Sequence, residues 1–546
     1  MPSLTSYTSP MTARQAAHLL RRSSFGPTNT EIDTFTGMSP QQALDLLLQD
    51  IPAPEPPIDP IWGEAWLTRP DLEDEDRSGE EDRQRFTLAW WVDQMIQTGP
   101  HLRERMTFFF HTHFTTILSR VRESRAHFYQ QALFRYHALG NIKELARLMC
   151  LDNAMLVHLD GFDNRKGSPN ENFAREFLEL YSIGKGPQIG PDDYTTFTED
   201  DVREAAKVLS GYRTEHNYTT IDTETGIPTG RLRGNGSIAS DHDAGVKTFS
   251  AAFGNAQISP ATVLNGQTTI EDALQELQDL VDMIFAQQDT ARHFCRKLYR
   301  FFIYYQITDE IEADIIEPLS QIMLDNDYDV VPVLRALLGS EHFFDTDNAV
   351  AEDNHRGAII KSPLELTLGT LRYFGISLPD MQASPVAAYE AVIEGILAPM
   401  QLMGLTLYEP FEVAGYAAYH QTPGYNRNWI SSNYLARRYQ YADFLTSDES
   451  PLPFDIVNWV ANPAHIANPA DAESLVRQLT DQLFPEIITA GRFDYFLYTV
   501  LLDQFSLLNW EMEWQDYTST GDDTGVRPQL ERLYRAIIQA PEYQLF

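Results

Sequence analysis

Two histidines, His111 and His113, lie in the aromatic run Phe109-Phe110-His111-Thr112-His113-Phe114. Imidazoles ligate metals and carry protons near neutral pH, so this pair is the first candidate for chemistry. On an unbroken helix the two rings point about 160° apart and cannot share one ion. In extended chain they would share a face. The β-branched Thr112, Thr115 and Thr116 favour a helix end near Phe110. Shared ligation, two hydrogen-bonded core histidines and an acid–base role for one of them therefore stand as rival readings.

A second constellation follows at Asn170 to Glu179. Glu171, Asn172, Arg175, Glu176 and Glu179 fall on one helical stripe about 140° wide, opposite Phe173, Phe177 and Leu180. Ser168, Pro169 and Glu171 predict the helix start through a capping box. Glu171–Arg175 and Arg175–Glu179 are i,i+4 pairs, which an ion-paired surface explains by itself. A second helix, capped by Thr198 and Asp201, carries Asp200, Arg203, Glu204 and Lys207 on its polar face. Facing helices of this kind build carboxylate–histidine centres. Glu176 and Glu179 thus join His111 and His113 as candidate ligands of a divalent metal, although the Glu-x-x-His spacing of a di-iron site is missing.

The third group, His242-Asp243-Ala244-Gly245-Val246-Lys247, lies in an irregular stretch. His242 with Asp243 has the make-up of a general base, and Lys247 and Arg175 could hold an anionic substrate. His242, Asp243, Lys247 and Arg175 are accordingly the candidate catalytic residues. A structural turn with polar surface residues is the competing reading. Phosphate-binding glycine loops, a Gly-x-Ser-x-Gly elbow and His-Glu-x-x-His are all missing, which weakens nucleotide-dependent and serine-hydrolase readings.

The elements that must position these groups are helical. The chain has 546 residues, 43% of them hydrophobic, which suffices for a large core. Periodicity predicts helices over 12–20 and 39–48, then almost throughout 86–210 and 270–344. Further helices are predicted at 364–374, 387–402, 428–445, 472–483 and 528–540. The expected class is mainly α, a large multi-helix array with a long irregular insertion and room for a short β-hairpin. The expected division is 1–50 N-terminal helices, 51–84 an acidic Pro-rich linker, and 85–350 a central helical domain. Residues 214–260 form its insertion, and 351–546 a C-terminal helical domain.

A formal charge of −37 argues against nucleic acid as a partner, since little is available to neutralise phosphates. Lysine is scarce, with seven in the chain. Cys150 and Cys295 sit in apolar helical patterns and read as buried free thiols. No stretch approaches the length of a membrane span, and Met1 to Phe25 contains no apolar core of a signal peptide.

Six stretches in order also carry a resemblance. They are Leu19-Leu20-Arg21-Arg22-Ser23-Ser24-Phe25-Gly26-Pro27, Phe109 to Phe114, Asn170 to Leu180, Thr198 to Ala206, His242 to Thr248, and Glu409-Pro410-Phe411-Glu412-Val413-Ala414-Gly415-Tyr416. Together the chain resembles the bacterial family called domain of unknown function 1800. Tyr212, Tyr416 and Phe110 replace usual tryptophans and Phe411 a usual proline, swaps that read as packing changes. The resemblance implies a helical fold and no agreed reaction. It also implies frequent export, and a frequent neighbour from the family called domain of unknown function 1501, which resembles alkaline phosphatases and sulfatases.

The expected function is a metal-dependent hydrolase or transferase acting on a polar or glycan-linked substrate. The alternative is a non-catalytic binding or assembly partner of a neighbouring exported or cell-surface protein. Convergence of the three polar groups on one pocket separates the two.

Overall fold

Helices begin where the sequence offers caps. In the computed structural model, which describes residues 2–68, 77–347, 355, 357–447, 449–452 and 454–546, Thr12 and Gln15 close a capping box that starts α1 (Ala13–Ser23). Then come α2 (Arg77–Gln97), α3 (Leu102–His113) and α4 (Ser124–Tyr136). The polar motifs supply α5 (Glu171–Glu176) and α6 (Glu199–Val208), and the long apolar stretches α7 (Ile270–Phe285) and α8 (Gln288–Phe302). The second half contributes α9 (Pro363–Tyr373), α10 (Ala417–His420), α11 (Leu507–Thr520) and α12 (Arg527–Ile538). The Thr198–Asp201 box opens α6 as expected. The start of α5 differs: Asn170, not Ser168, caps it, its Oδ1 accepting from the Asn172 amide at 3.0 Å. Asn164 Oδ1 in turn holds the Asn170 amide at 3.0 Å, which fixes the cap two residues later than predicted.

Helix α5 changes its winding after Glu176. Phe177–Tyr181 form a π turn, a tighter packing of residues along the axis that leaves late carbonyls out of line with the ladder. Ser182 Oγ donates to the Phe177 carbonyl at 2.6 Å and the Gly184 amide to that of Leu178 at 2.9 Å. The Leu180 and Tyr181 carbonyls face other helices.

The insertion is richer than one hairpin. Strands β1 (Gly234–Asn235), β2 (Ile238–Ala239), β3 (Val263–Leu264) and β4 (Gln267–Thr269) form an antiparallel sheet in the order β1-β2-β4-β3. Asn265 and Gly266, with φ of 53° and 74°, make the tight turn between β3 and β4. Two shorter pairs join Tyr212–Arg213 to Arg231–Leu232 and Lys247–Thr248 to Gln257–Ile258. Part of the stretch read as a linker is packed, since Trp66 is buried and its indole N–H donates to Ser124 Oγ at 3.1 Å. Residues 69–76 of that stretch lie outside the described residues.

One hydrophobic cluster runs from Met11 to Tyr543 and includes residues of both halves. Cys150 and Cys295 are buried in it as free thiols. No helix among the described residues is long and apolar enough to cross a membrane.

Candidate functional site

The two histidines of α3 are helical and face different neighbours. His111 is fully buried, its ring 4.3 Å from that of Tyr408 and 5.1 Å from Trp91. The Tyr416 hydroxyl donates to the Thr406 carbonyl at 2.8 Å and lies 3.1 Å from His111 Nε2, to which the Tyr408 amide also donates at 3.5 Å. Burial pushes His111 down to about 3, and the ring is neutral at ordinary pH. Gly415, at φ 100°, lets this loop approach α3, where a Cβ would lie 3.1 Å from the Thr112 carbonyl.

His113 faces the π turn. Its Nε2 lies 3.2 Å from the Tyr181 carbonyl oxygen, which can only accept, so the hydrogen is on Nε2. Nδ1 then carries a lone pair, and Lys297 Nζ donates to it at 2.8 Å. Lys297 also donates to the Leu180 carbonyl at 3.2 Å, which His293 Nε2 shares at 3.2 Å. The segment after α5 thus orients the amine through carbonyls, and its carboxylates take no part. Gly184 is needed here: a Cβ would meet the His293 ring at 2.5 Å.

Among the described residues no carboxylate lies within ion-pair distance of Lys297. Burial, reinforced by Arg300, lowers its pKa to about 7. Burial first, then Lys297, holds His113 well below the usual histidine range. With two N–H groups donated to His113 and Leu180, the neutral amine keeps one lone pair for the remaining direction.

Lys297, His113 and Arg300 line a cleft with about 650 Å³ of open space between α3, α8 and α10. Arg300 Nε donates to the Tyr305 carbonyl at 3.2 Å, and its guanidinium lies 5.2 Å from the Tyr425 ring centre. His420, at the end of α10, lines the same cleft with a buried Nε2 that has no partner. The carboxylate of the lining, Glu365, is ion-paired to Arg105. A molecule of charge −37 therefore has a cleft whose remaining ionisable groups, tyrosines apart, are basic.

The other predicted residues lie elsewhere. Arg175 spans α5 and α6, pairing with both oxygens of Glu199 and with Glu171 at 3.3 Å. Glu179 pairs with Lys185 at 2.7 Å, and Glu176 is half-buried, its pKa raised by burial and then by Glu179. His242 and Lys247 are fully buried on Glu276 of α7, a residue the sequence reading passed over. His242 Nδ1 donates to the Ser210 carbonyl at 2.9 Å, and its Nε2 is 2.5 Å from Glu276 Oε2. Lys247 reaches both Glu276 oxygens at 2.9 and 2.8 Å. Asp243 Oδ1 caps its own turn, accepting from the Gly245 amide at 2.8 Å. Among the described residues no group of three or more His, Cys, Asp or Glu side chains is placed to hold a metal ion.

A family model described as a protein of unknown function (DUF1800) matches residues 18–545. The chain belongs to the DUF1800 family. No curated protein and no solved structure matches it. In this DUF1800 chain two of the six stretches line the cleft, Phe109 to Phe114 through Phe109, Thr112 and His113 and Glu409 to Tyr416 through Ala414, while Leu180 of a third accepts from Lys297. Lys297 went unnoticed among the candidates, although a signal existed. It is one of seven lysines, set four residues before Phe301 on the edge of the apolar stripe of α8.

Proposed function

We propose that this DUF1800 chain is a hydrolase or transferase for a small, polar, anionic substrate, with the Lys297 amine as its proton acceptor. The observation that carries this reading is the amine itself. It lines a cleft, both its N–H groups are committed, and no carboxylate holds it as an ammonium. A pKa near the working pH is what a general base needs. In the reaction a water or substrate hydroxyl gives its proton to Lys297 Nζ as its oxygen attacks. Arg300 holds the negative group of the substrate, and His420 offers a second polar contact. The candidate metal ligands His111, His113, Glu176 and Glu179 face separate neighbourhoods, so this reading assigns them no ion.

Competitive labelling of the seven lysines with acetic anhydride, read by mass spectrometry across pH, tests it. Lys297 should titrate near pH 7, well before lysines such as Lys143 and Lys185, whose carboxylate partners raise them. Turnover in a screen of ester and phosphoester substrates should fall about 10²–10⁴-fold in Lys297→Met. Lys297→Arg should not restore it, because arginine keeps its proton. A Lys297 midpoint near the ordinary lysine value would sink the reading.

One observation favours a second reading, docking on a partner protein such as the implied neighbour. Phe505, Leu508 and Met512, on and just before α11, are 63%, 61% and 60% exposed. Contiguous apolar exposure of this kind marks interaction surfaces. Co-purification with a co-expressed neighbour, lost in a Leu508→Ser, Met512→Ser variant, tests it.

A further inference from the structure

The opening motif around Arg21 and Arg22 has no part in the Lys297 cleft. It builds a second one. The end of α1 and the Ser24–Pro27 loop face Lys361, α9 and the aromatic residues Tyr543 and Phe546 across about 420 Å³ of open space. Gly26, at φ 102°, lies so close to α9 that a Cβ would come 2.7 Å from Gly369 Cα. That contact sets the cleft wall.

Two cations look into this space, whose carboxylate, Glu365, is ion-paired to Arg105. Arg21 is 8% exposed; its Nη2 donates to the Gln482 carbonyl, and its Nη1 has no partner. Lys361 is 7% exposed, with Nζ 3.8 Å from the Tyr543 ring centre. Neither has a carboxylate within ion-pair distance among the described residues. Burial lowers Arg21 to about 10, and burial and then Arg21 lower Lys361 well below the usual lysine range.

The cations behind them sharpen the imbalance. Arg22, Arg105 and Arg438 are also buried, and each keeps one guanidinium nitrogen without a hydrogen-bond partner. Glu365 is the carboxylate they share, and it is already engaged by Arg105 and by the Ser362 amide at 2.7 Å. Buried cations are ordinarily paired, and unpaired ones are costly. A ligand oxygen reaching Arg21 Nη1 and Lys361 Nζ would satisfy both. Guanidinium and ammonium groups side by side are a recurrent recognition pair for carboxylate and phosphate.

We infer that this second cleft is a binding site for a small oxyanion, a phosphate or carboxylate group held between Arg21 and Lys361. The inference does not rest on the role proposed for Lys297. Only the lining residue Glu365 is common to the two clefts.

Thermal unfolding of the full chain in potassium phosphate, potassium acetate and potassium chloride at matched ionic strength tests it. A ligand that binds only the folded state raises the midpoint in a saturable way. Phosphate or acetate should raise Tm saturably beyond chloride. Arg21→Gln and Lys361→Met should lose that rise, while Lys361→Arg and Arg300→Gln keep it. A response to phosphate alone assigns a phosphoryl ligand, and one to acetate alone assigns a carboxylate ligand. Equal shifts in all three salts, or folded Arg21→Gln and Lys361→Met variants that respond like the parent, would overturn the site. Loss of the response in Arg300→Gln would move the anion to the first cleft and also overturn it. Equilibrium dialysis of the parent against labelled phosphate and acetate needs no variant, and no retention of either would refute the proposal.

Discussion

Two lysine–histidine pairs occur in this molecule under opposite conditions. Lys247 and His242 are fully buried and share Glu276, with every polar atom of the trio occupied. Lys297 and His113 meet through the lysine amine and an imidazole lone pair, beside a cleft, with backbone carbonyls where the other pair has a carboxylate. One glutamate separates a lock from a poised base. A buried ammonium needs a counter-charge to persist, and where the fold withholds one the proton becomes labile.

The comparison can be broken most severely at Glu276. Glu276→Gln leaves the Lys247 charge buried without a partner and should destabilise the protein by about 3–5 kcal/mol, read by denaturant unfolding. A loss under about 1 kcal/mol would mean that the trio is not the lock described. The converse change supplies a carboxylate to the poised amine. His420→Glu should raise the Lys297 midpoint by about 1–3 pH units in the labelling experiment and suppress any turnover with it.

Acid titration sharpens the same contrast. Burial holds His111 down to about 3, and His127, His137 and His158 down to about 4. In the unfolded chain these rings take protons near pH 6.5, earlier than in the folded one. Their contribution to stability is therefore complete above that pH and is lost as pH falls from 6.5 toward 4. Each contributes a slope of up to about 1.4 kcal/mol per pH unit. A stability profile flat down to pH 4 would contradict this burial. The smallest effect belongs to Arg175, one of the candidate catalytic residues. Arg175→Ala removes a half-exposed ion pair between α5 and α6 and should cost about 0–1 kcal/mol, with Lys297 reactivity unchanged.

These contrasts also mark what could be read before the fold was known. Local rules carried far: the helices that periodicity predicts at 12–20 and 39–48 open at Thr12 and Ser39, the Thr198 cap opens α6, and the two cysteines are buried thiols. The divergence of His111 and His113 followed from helical periodicity once α3 was known to reach His113. The Asn265-Gly266 turn was a hairpin signal available in the sequence and passed over. Glu276 and Lys297 were harder, because each lies on or beside the apolar stripe of a long helix, where a charged residue looks like a defect in the pattern. What they meet is set by residues 29 and 184 positions away, and periodicity carries no information about such partners. The π turn was not legible either, since Phe177 to Tyr181 continues an ordinary amphipathic sequence.

That turn makes chain length a variable of the chemistry. Wound as π, Phe177–Tyr181 sends two carbonyl oxygens toward His113 and Lys297. Deleting one residue there would let the segment rewind as α-helix and return to the regular ladder the carbonyls that the π turn leaves out of line. No atom of the cleft side chains would be removed. Yet an amine 117 residues further along the chain would lose its acceptor. Such a deletion should therefore behave as a lesion of Lys297 itself, and it would be invisible to any comparison of residue types alone.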